Sequence, residues 1–364
     1  MKFRLDAVYV EEQVRTSALC RRVLARLGPE VPVHFVTDGR EVARTLDGPD
    51  PFAAGKRRLV LMKRRAPFLT ACPAASAQFA CCGYLVLILA SNCPMDCSYC
   101  FLQEYLADNP AFQIYTNYEQ AFDELERLSR TNPKRHFRIG TGELADSLAF
   151  DTLTGICPDL IEFFLRHENL RLELKTKTDE IDNLLRLDPK GRVLVSWTLS
   201  PMRVFESCER GTALPSARIE AASRLVEAGY RVAFHLDPII PYPGAFEDYR
   251  ELLNALFDAV DPLKISFISL GTLRMTPRLR AIARTRHPQD AILIGGEEVL
   301  SPDGRYRPFY PLRLKLYRAI SEQIRAAHPK LVHYLCMESP ETAERVLGSR
   351  VPKPAALGEL LATT

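Results

Sequence analysis

From Tyr84 to Leu270 the chain repeats one pattern, a short apolar run, a loop and an amphipathic helix, and nothing else narrows its possible folds so far. The runs Tyr84–Ala90, His136–Thr141, Leu172–Thr176, Val193–Leu199, Val232–Pro238 and Ile265–Leu270 read as strands. Between them, 118–129, 159–167, 180–187, 215–228 and 246–260 carry helical spacing. Strands alternating with helices build parallel βαβ units joined by right-handed crossovers. Six units are too few for an eightfold barrel, so the expected fold class is α/β, an open partial (β/α)6 barrel. Chemistry in such barrels gathers at the carboxyl ends of the strands.

The flanks differ in rhythm. Residues 1–75 read as a small α/β unit, with strands at Ala7–Val10, Val31–Val36 and Arg58–Met62 and a helix over 17–27. The Pro- and Ala-rich run 67–77 reads as a linker or crossing segment. The barrel is expected over 76–275. Residues 276–364 form a carboxyl-terminal extension, with helices near 277–283 and 312–327 and a strand at Leu331–Leu335, placed to close the barrel's open side.

Just past the first barrel strand come Cys93, Cys97 and Cys100, spaced C-x3-C-x2-C. Three thiolates on one loop hold three irons of a [4Fe–4S] cube and leave the fourth iron open. Electron-transfer clusters usually take four cysteines. An open iron points to a chelating cosubstrate, of which S-adenosylmethionine is the best known, and the chemistry is then the cofactor's. A structural zinc site is the alternative, though zinc sites usually pair C-x2-C with a second such half or with histidines, and none lies nearby. The net charge of +3, from 48 Lys and Arg against 45 Asp and Glu, is too small to indicate nucleic-acid binding by itself. The start lacks a signal peptide, and the longest apolar run has seven residues, so a cytoplasmic protein without a membrane span is expected.

In these residues the chain resembles the radical S-adenosylmethionine superfamily and, within it, the spore photoproduct lyase family. The resemblance rests on the cysteine loop with Tyr99 before its last cysteine and on Gly142-Glu143 after the second strand. It also rests on Tyr9-Val10-Glu11, Leu102-Gln103, Ile114-Tyr115-Thr116-Asn117, Lys175-Thr176-Lys177, Ser196-Trp197-Thr198-Leu199-Ser200, Ala228-Gly229-Tyr230 and Asp237-Pro238-Ile239-Ile240. It implies a lyase that splits a thymine dimer in ultraviolet-damaged DNA through a 5′-deoxyadenosyl radical. An electron donor such as flavodoxin or ferredoxin would feed the cluster. Two positions depart from the family: Gly140 stands where a hydrogen-donating cysteine is expected, and Phe101 where a relaying tyrosine is expected. Another thiol then closes the reaction, with Cys336, Cys81 and Cys82 as candidates, or the substrate differs and is RNA, a peptide or a small molecule. A non-enzymatic, metal-clipped nucleic-acid-binding protein is the remaining alternative.

The resemblance also distributes roles. Tyr99 and Cys336 are candidate catalytic residues. Gly142 and Glu143 would meet the amino group of the bound methionine, Lys177 its carboxylate, and Ser196 and Ser200 the ribose. His235 and Asp237 share one face of the fifth strand and border adenosine or substrate, unless His235 is simply a satisfied core histidine. Arg274 matches a substrate-pocket arginine, suited to bidentate contact with a phosphate or a pyrimidine carbonyl. Arg278, Arg280, Arg284 and Arg286 recur at helical spacing, as either a DNA-backbone track or a solvated face.

Overall fold

In a computed structural model of the chain, which describes residues 3–46, 48–73, 79, 81–348 and 354–363, two sheets carry the architecture. The larger has eight strands. Six run parallel and neighbour each other in chain order: Leu85–Leu87, Phe137–Gly140, Leu170–Thr176, Val193–Thr198, Arg231–Ile239 and Ile265–Thr272. These are the first to sixth barrel strands, and they curve into an open half-barrel as expected. Their apolar runs follow from burial on both faces, since helices cover the outside of a parallel sheet. Trp197 on the fourth strand is fully buried, and its indole N–H donates to Thr178 O at 2.9 Å.

Both edges of this sheet gain a strand. His333–Leu335 adds in parallel beyond the sixth strand and becomes a seventh barrel strand, so the carboxyl-terminal segment lengthens the sheet. At the other edge Leu69–Ala71 pairs antiparallel with Leu85–Leu87. The segment expected as a linker is therefore partly sheet, while residues 74–77 lie outside the described residues.

The smaller sheet orders Val33–Val36, Ala7–Glu11, Arg58–Met62, Phe112–Tyr115 and Ala90–Ser91. Two of its strands come from beyond residue 75. The expected strand Tyr84–Ala90 divides: its first half enters the barrel, and its end crosses to pair with Phe112–Tyr115 in the smaller sheet. The amino-terminal unit thereby grips both ends of the segment that carries the cysteines.

Most expected helices form within a few residues of their predicted bounds, among them Glu119–Thr131, Pro215–Glu227, Ala245–Ala259, Pro277–Arg286 and Tyr310–Ala327. The helix expected over 180–187 does not. Only a turn, Leu184–Arg186, is present, because Asn183 spends its amide on Asp151, donating to its backbone O at 3.1 Å and its Oδ2 at 2.8 Å. Such side-chain bonds compete with helix formation. The helix Met202–Cys208 after the fourth strand was not anticipated. Among the described residues no helix is long and apolar enough to cross a membrane.

Candidate active site at the strand ends

Seven successive parallel strands deliver polar residues to one rim. The cysteine loop follows the first strand, Gly142 and Glu143 the second, Lys177 the third, Ser200 the fourth, Arg274 the sixth and Cys336 the seventh, while Asp237 sits near the end of the fifth. This is the carboxyl rim on which barrel chemistry is expected.

The cysteine loop is held by buried donors. Lys56, reaching in from the amino-terminal unit, donates to Asn92 Oδ1 at 3.3 Å, Cys93 O at 3.0 Å and Met95 O at 2.5 Å. Gln103 donates to Ser98 O at 2.8 Å and Cys100 O at 3.2 Å. Asn92 takes a left-handed backbone (φ 70°), a conformation that asparagine tolerates better than most residues, and its Oδ1 accepts from Cys93 N at 2.8 Å. Asp96–Cys97 pairs antiparallel with Glu209–Arg210, and Ser98 N donates to Cys208 O at 2.9 Å.

Burial pushes all three thiols up, Cys93 to about 12, while Lys56 favours the thiolates of Cys93 and Cys100, and Lys177 those of Cys97 and Cys100. A bound metal must supply the rest of the deprotonation energy. Cys97 feels the charges of both Cys93 and Cys100, so the three form one group. Among the described residues no three His, Cys, Asp or Glu side chains converge tightly enough for a single metal ion. An iron–sulfur cube spreads its irons over its corners and asks for thiolates set wider apart. Three thiols on a fixed loop, beside two cations, fit that donor set.

Behind the loop lies a carboxylate that sequence reasoning missed. Glu209 is buried and accepts Lys177 Nζ at 2.7 Å and Ser200 Oγ at 2.8 Å on Oε1, where the Tyr99 hydroxyl also donates. On Oε2 it accepts Arg218 Nη2 at 2.5 Å. Lys177 further donates to the Tyr99 hydroxyl at 2.6 Å. Three residues predicted for separate roles, Tyr99, Lys177 and Ser200, thus meet at one acceptor. Burial alone would raise the Glu209 carboxyl, but Lys177 and Arg218 hold it well below the usual carboxylate range.

A second buried carboxylate, Glu173, organises the barrel interior. It accepts Arg138 Nη1 at 2.7 Å, Ser196 Oγ at 2.7 Å and His235 Nε2 at 3.0 Å, from the second, fourth and fifth strands. His235 and Ser196 are therefore tied to a common partner. Burial lowers the His235 pKa, so its neutral imidazole donates and Arg138 supplies the positive charge. The signal was legible: Arg171, Glu173 and Lys175 alternate with Leu170, Leu172 and Leu174, which puts three charges on one face of a strand.

Glu143 pairs with Lys175 at 3.0 Å, and Gly142 packs where a Cβ would meet Lys175 Cβ and backbone O, each at 2.7 Å. Arg274 grips Asp237 with two nitrogens, at 3.0 and 2.8 Å, and Cys336 lies beside this pair, its thiol pushed up by burial. The basic helix Pro277–Arg286 divides its charges. Arg280 pairs with Glu298 at 2.6 Å, and Arg286 reaches Asp50 at 2.8 Å and Asp96 at 3.1 Å, which leaves Arg278 and Arg284 exposed.

An open parallel half-barrel with a C-x3-C-x2-C loop after its first strand is the architecture of a radical S-adenosylmethionine protein. A family model described as spore photoproduct lyase matches residues 3–327. The chain belongs to the spore photoproduct lyase family. It is 25% identical over 289 residues to a spore photoproduct lyase of a Geobacillus strain, covering 79% of this chain and 81% of that protein. To the spore photoproduct lyase of Bacillus subtilis it is 27% identical over 220 residues, covering 60% and 64%. Among solved structures, a spore photoproduct lyase complexed with dinucleoside spore photoproduct matches with a TM-score of 0.81 at 22% identity, over 92% of this chain and all of that one. A mutant lyase with bound AdoMet and the same dinucleoside matches at 0.80 and 22%, over 92% and 99%.

Proposed function

We propose that this chain is a radical enzyme that repairs a spore-photoproduct-type thymine dimer in DNA. The observation that carries the reading is the three-cysteine loop, locked by Lys56 and Gln103 at the rim of the half-barrel, in a chain that the family model spans almost throughout. When bound, a [4Fe–4S] cluster and S-adenosylmethionine supply a 5′-deoxyadenosyl radical that takes one hydrogen atom from the lesion.

The chain's own residues do the rest. Cys93, Cys97 and Cys100 would hold the cluster. Glu143, oriented by Lys175, would accept from the methionine amino group beside Gly142, and Lys177, seated on Glu209 and Tyr99, would meet its carboxylate. Ser196 and Ser200 would meet the ribose, and Asp237 and His235 would border the nucleoside. Arg274, preorganised by Asp237, offers its guanidinium to a lesion phosphate or carbonyl. The damaged pair must leave the base stack to enter the rim. A low-potential electron carrier such as flavodoxin or ferredoxin is the partner such a site would need, in a reducing cytoplasm.

The test is anaerobic reconstitution followed by turnover on dinucleoside spore photoproduct. The expected result is a brown protein that forms 5′-deoxyadenosine and intact thymine dinucleoside. A colourless protein holding one zinc would sink the reading in favour of a structural clip. One observation favours a second reading, the same radical chemistry on RNA, a peptide or a small molecule: Gly140 carries no hydrogen-donating side chain. In that case 5′-deoxyadenosine forms and the dimer persists.

A further inference from the structure

The second barrel strand ends on Gly140, whose missing side chain is not an empty space. A Cβ built there would lie 1.9 Å from the Tyr84 hydroxyl oxygen and 2.6 Å from the Cζ that bears it. The phenol of Tyr84 thus occupies the volume that any side chain at position 140 would need. Tyr84 is only 7% exposed, and its hydroxyl has no hydrogen-bond partner among the described residues. An unpaired buried hydroxyl costs about 1–3 kcal/mol. An unsatisfied buried hydroxyl in an otherwise ordered ring asks for a reason beyond packing. The ring is fixed from two sides, by the Arg138 guanidinium 4.9 Å from its centroid and Lys175 Nζ at 5.8 Å. Lys175 in turn pairs with Glu143, so the phenol stands against the residues assigned to the cosubstrate.

We propose that Tyr84 is the hydrogen-atom donor that closes the repair reaction, its phenol standing at the place where the family resemblance sets a thiol. The inference rests on the repair reading given above. After the methylene bridge breaks, one recovered thymine carries an unpaired electron on its methyl carbon. The Tyr84 O–H bond breaks homolytically, the hydrogen atom passes to that carbon, and a C–H bond forms. Phenol O–H and thiol S–H bonds are of similar homolytic strength, so the exchange needs no oxidant. The donor must enter the step protonated, and it does, because burial, reinforced by Glu173, holds the phenol pKa far above neutrality.

The transfer leaves a phenoxyl radical on Tyr84. Phe101 has no O–H to pass a hydrogen atom onward. One electron from the low-potential one-electron carrier that feeds the enzyme, with one proton from solvent, therefore restores the phenol. Per dimer, two electrons and one proton are taken up and one S-adenosylmethionine is consumed, while the lesion is only isomerised to two thymines. Cys336 is the rival donor, seated beside the Arg274–Asp237 pair.

The test compares wild type, Tyr84→Phe and Cys336→Ala on dinucleoside spore photoproduct in heavy water. In the wild type the recovered methyl group carries one deuterium, because the phenol exchanges with solvent. Tyr84→Phe still forms 5′-deoxyadenosine and consumes the lesion, but intact thymine dinucleoside per 5′-deoxyadenosine falls more than about tenfold. A second readout uses the metal-free protein. Adding the dinucleoside perturbs the ultraviolet absorbance of a tyrosine in the wild type, and Tyr84→Phe binds equally well without that signal. Tyr84→Phe that returns labelled thymine at the wild-type ratio overturns the proposal, as does loss of product in Cys336→Ala alone. A wild type that makes 5′-deoxyadenosine yet leaves the dimer untouched overturns the repair reading itself, and this assignment with it.

Discussion

Arg218 donates to Glu209 across 2.5 Å, and neither side chain is exposed to solvent. The guanidinium also binds Ala213 O, Thr198 O and Thr212 Oγ1, each at 2.8 Å, so all of its donating sides are used. Glu209 in turn seats Tyr99, Lys177 and Ser200. Removing one member of a buried ion pair strands the other, at a cost of about 3–5 kcal/mol. Arg218→Ala is therefore expected to lose about that much stability in urea unfolding of the metal-free protein. Arg218→Lys recovers only part of it, because an ammonium cannot reproduce the planar fork.

Gly142→Ala tests the turn that presents Glu143. The added methyl would meet Lys175 Cβ and its backbone O at 2.7 Å, and the backbone atom cannot rotate away. The third strand or the turn must shift, and either movement separates Glu143 from Lys175. A loss of about 1–3 kcal/mol is expected, together with weaker S-adenosylmethionine binding by calorimetry on the reconstituted protein. Gly296→Ala is the control, since nothing lies within 4 Å of the Cβ it would add. Equal effects at both positions would remove the steric argument.

Local pattern carried much of this molecule, and its failures have physical causes. The six parallel strands and most helices are legible because burial on both faces leaves long apolar runs, and because amphipathic helices keep their period. Lys177, Ser200 and Tyr99 were legible as site residues, but their common partner Glu209 was not. It lies in a short extended pair after an unforeseen helix, and its importance comes from Arg218, which the fold brings in from the next helix. Lys56 reaches the cysteine loop only because strands from beyond residue 75 complete the amino-terminal sheet. Tyr84 read as the start of an apolar strand. No periodicity reveals that its hydroxyl fills the space above a glycine on a neighbouring strand.

Acid should loosen the barrel interior before it exposes the rest. Burial would raise the Glu173 carboxyl, but Arg138, with hydrogen bonds from His235 and Ser196, holds it well below its ordinary value. A carboxyl depressed in the folded state contributes stability that is fully present above its unfolded pKa, about 4.3, and lost as pH falls toward the folded value. His235 is shifted down by burial, so it adds a loss of the same sign as pH drops below about 6.5. Unfolding free energy of the metal-free protein is thus expected to fall steadily from neutrality downward. Replacing both, as Glu173→Gln with His235→Gln, should flatten that slope while lowering the plateau. An unchanged slope in the double variant would place the acid sensitivity elsewhere.

Lys56 is expected to keep the cysteine loop formed before metal arrives. Its ammonium is buried and satisfies Asn92 Oδ1, Cys93 O and Met95 O, all within one turn of the loop. Lys56→Met keeps an apolar stem but removes the ammonium that stands 4.7 Å from the Phe52 ring centroid. It strands Cys93 O and Met95 O, since Asn92 Oδ1 still accepts from Cys93 N. Each costs about 1–3 kcal/mol where water cannot reach it. The loop is expected to open and solvate those carbonyls instead, so the measured loss of global stability should be smaller than the sum. Iron and sulfide bound after anaerobic reconstitution should fall well below wild type, and added S-adenosylmethionine should not restore them. Lys56→Arg offers the same charge in a larger head and is expected to recover cluster loading only partly, because the space closed by Asn92 and Met95 is shaped for an ammonium. Full loading in Lys56→Met would mean that the thiolates and iron organise the loop unaided, and that the buried lysine serves the amino-terminal unit alone.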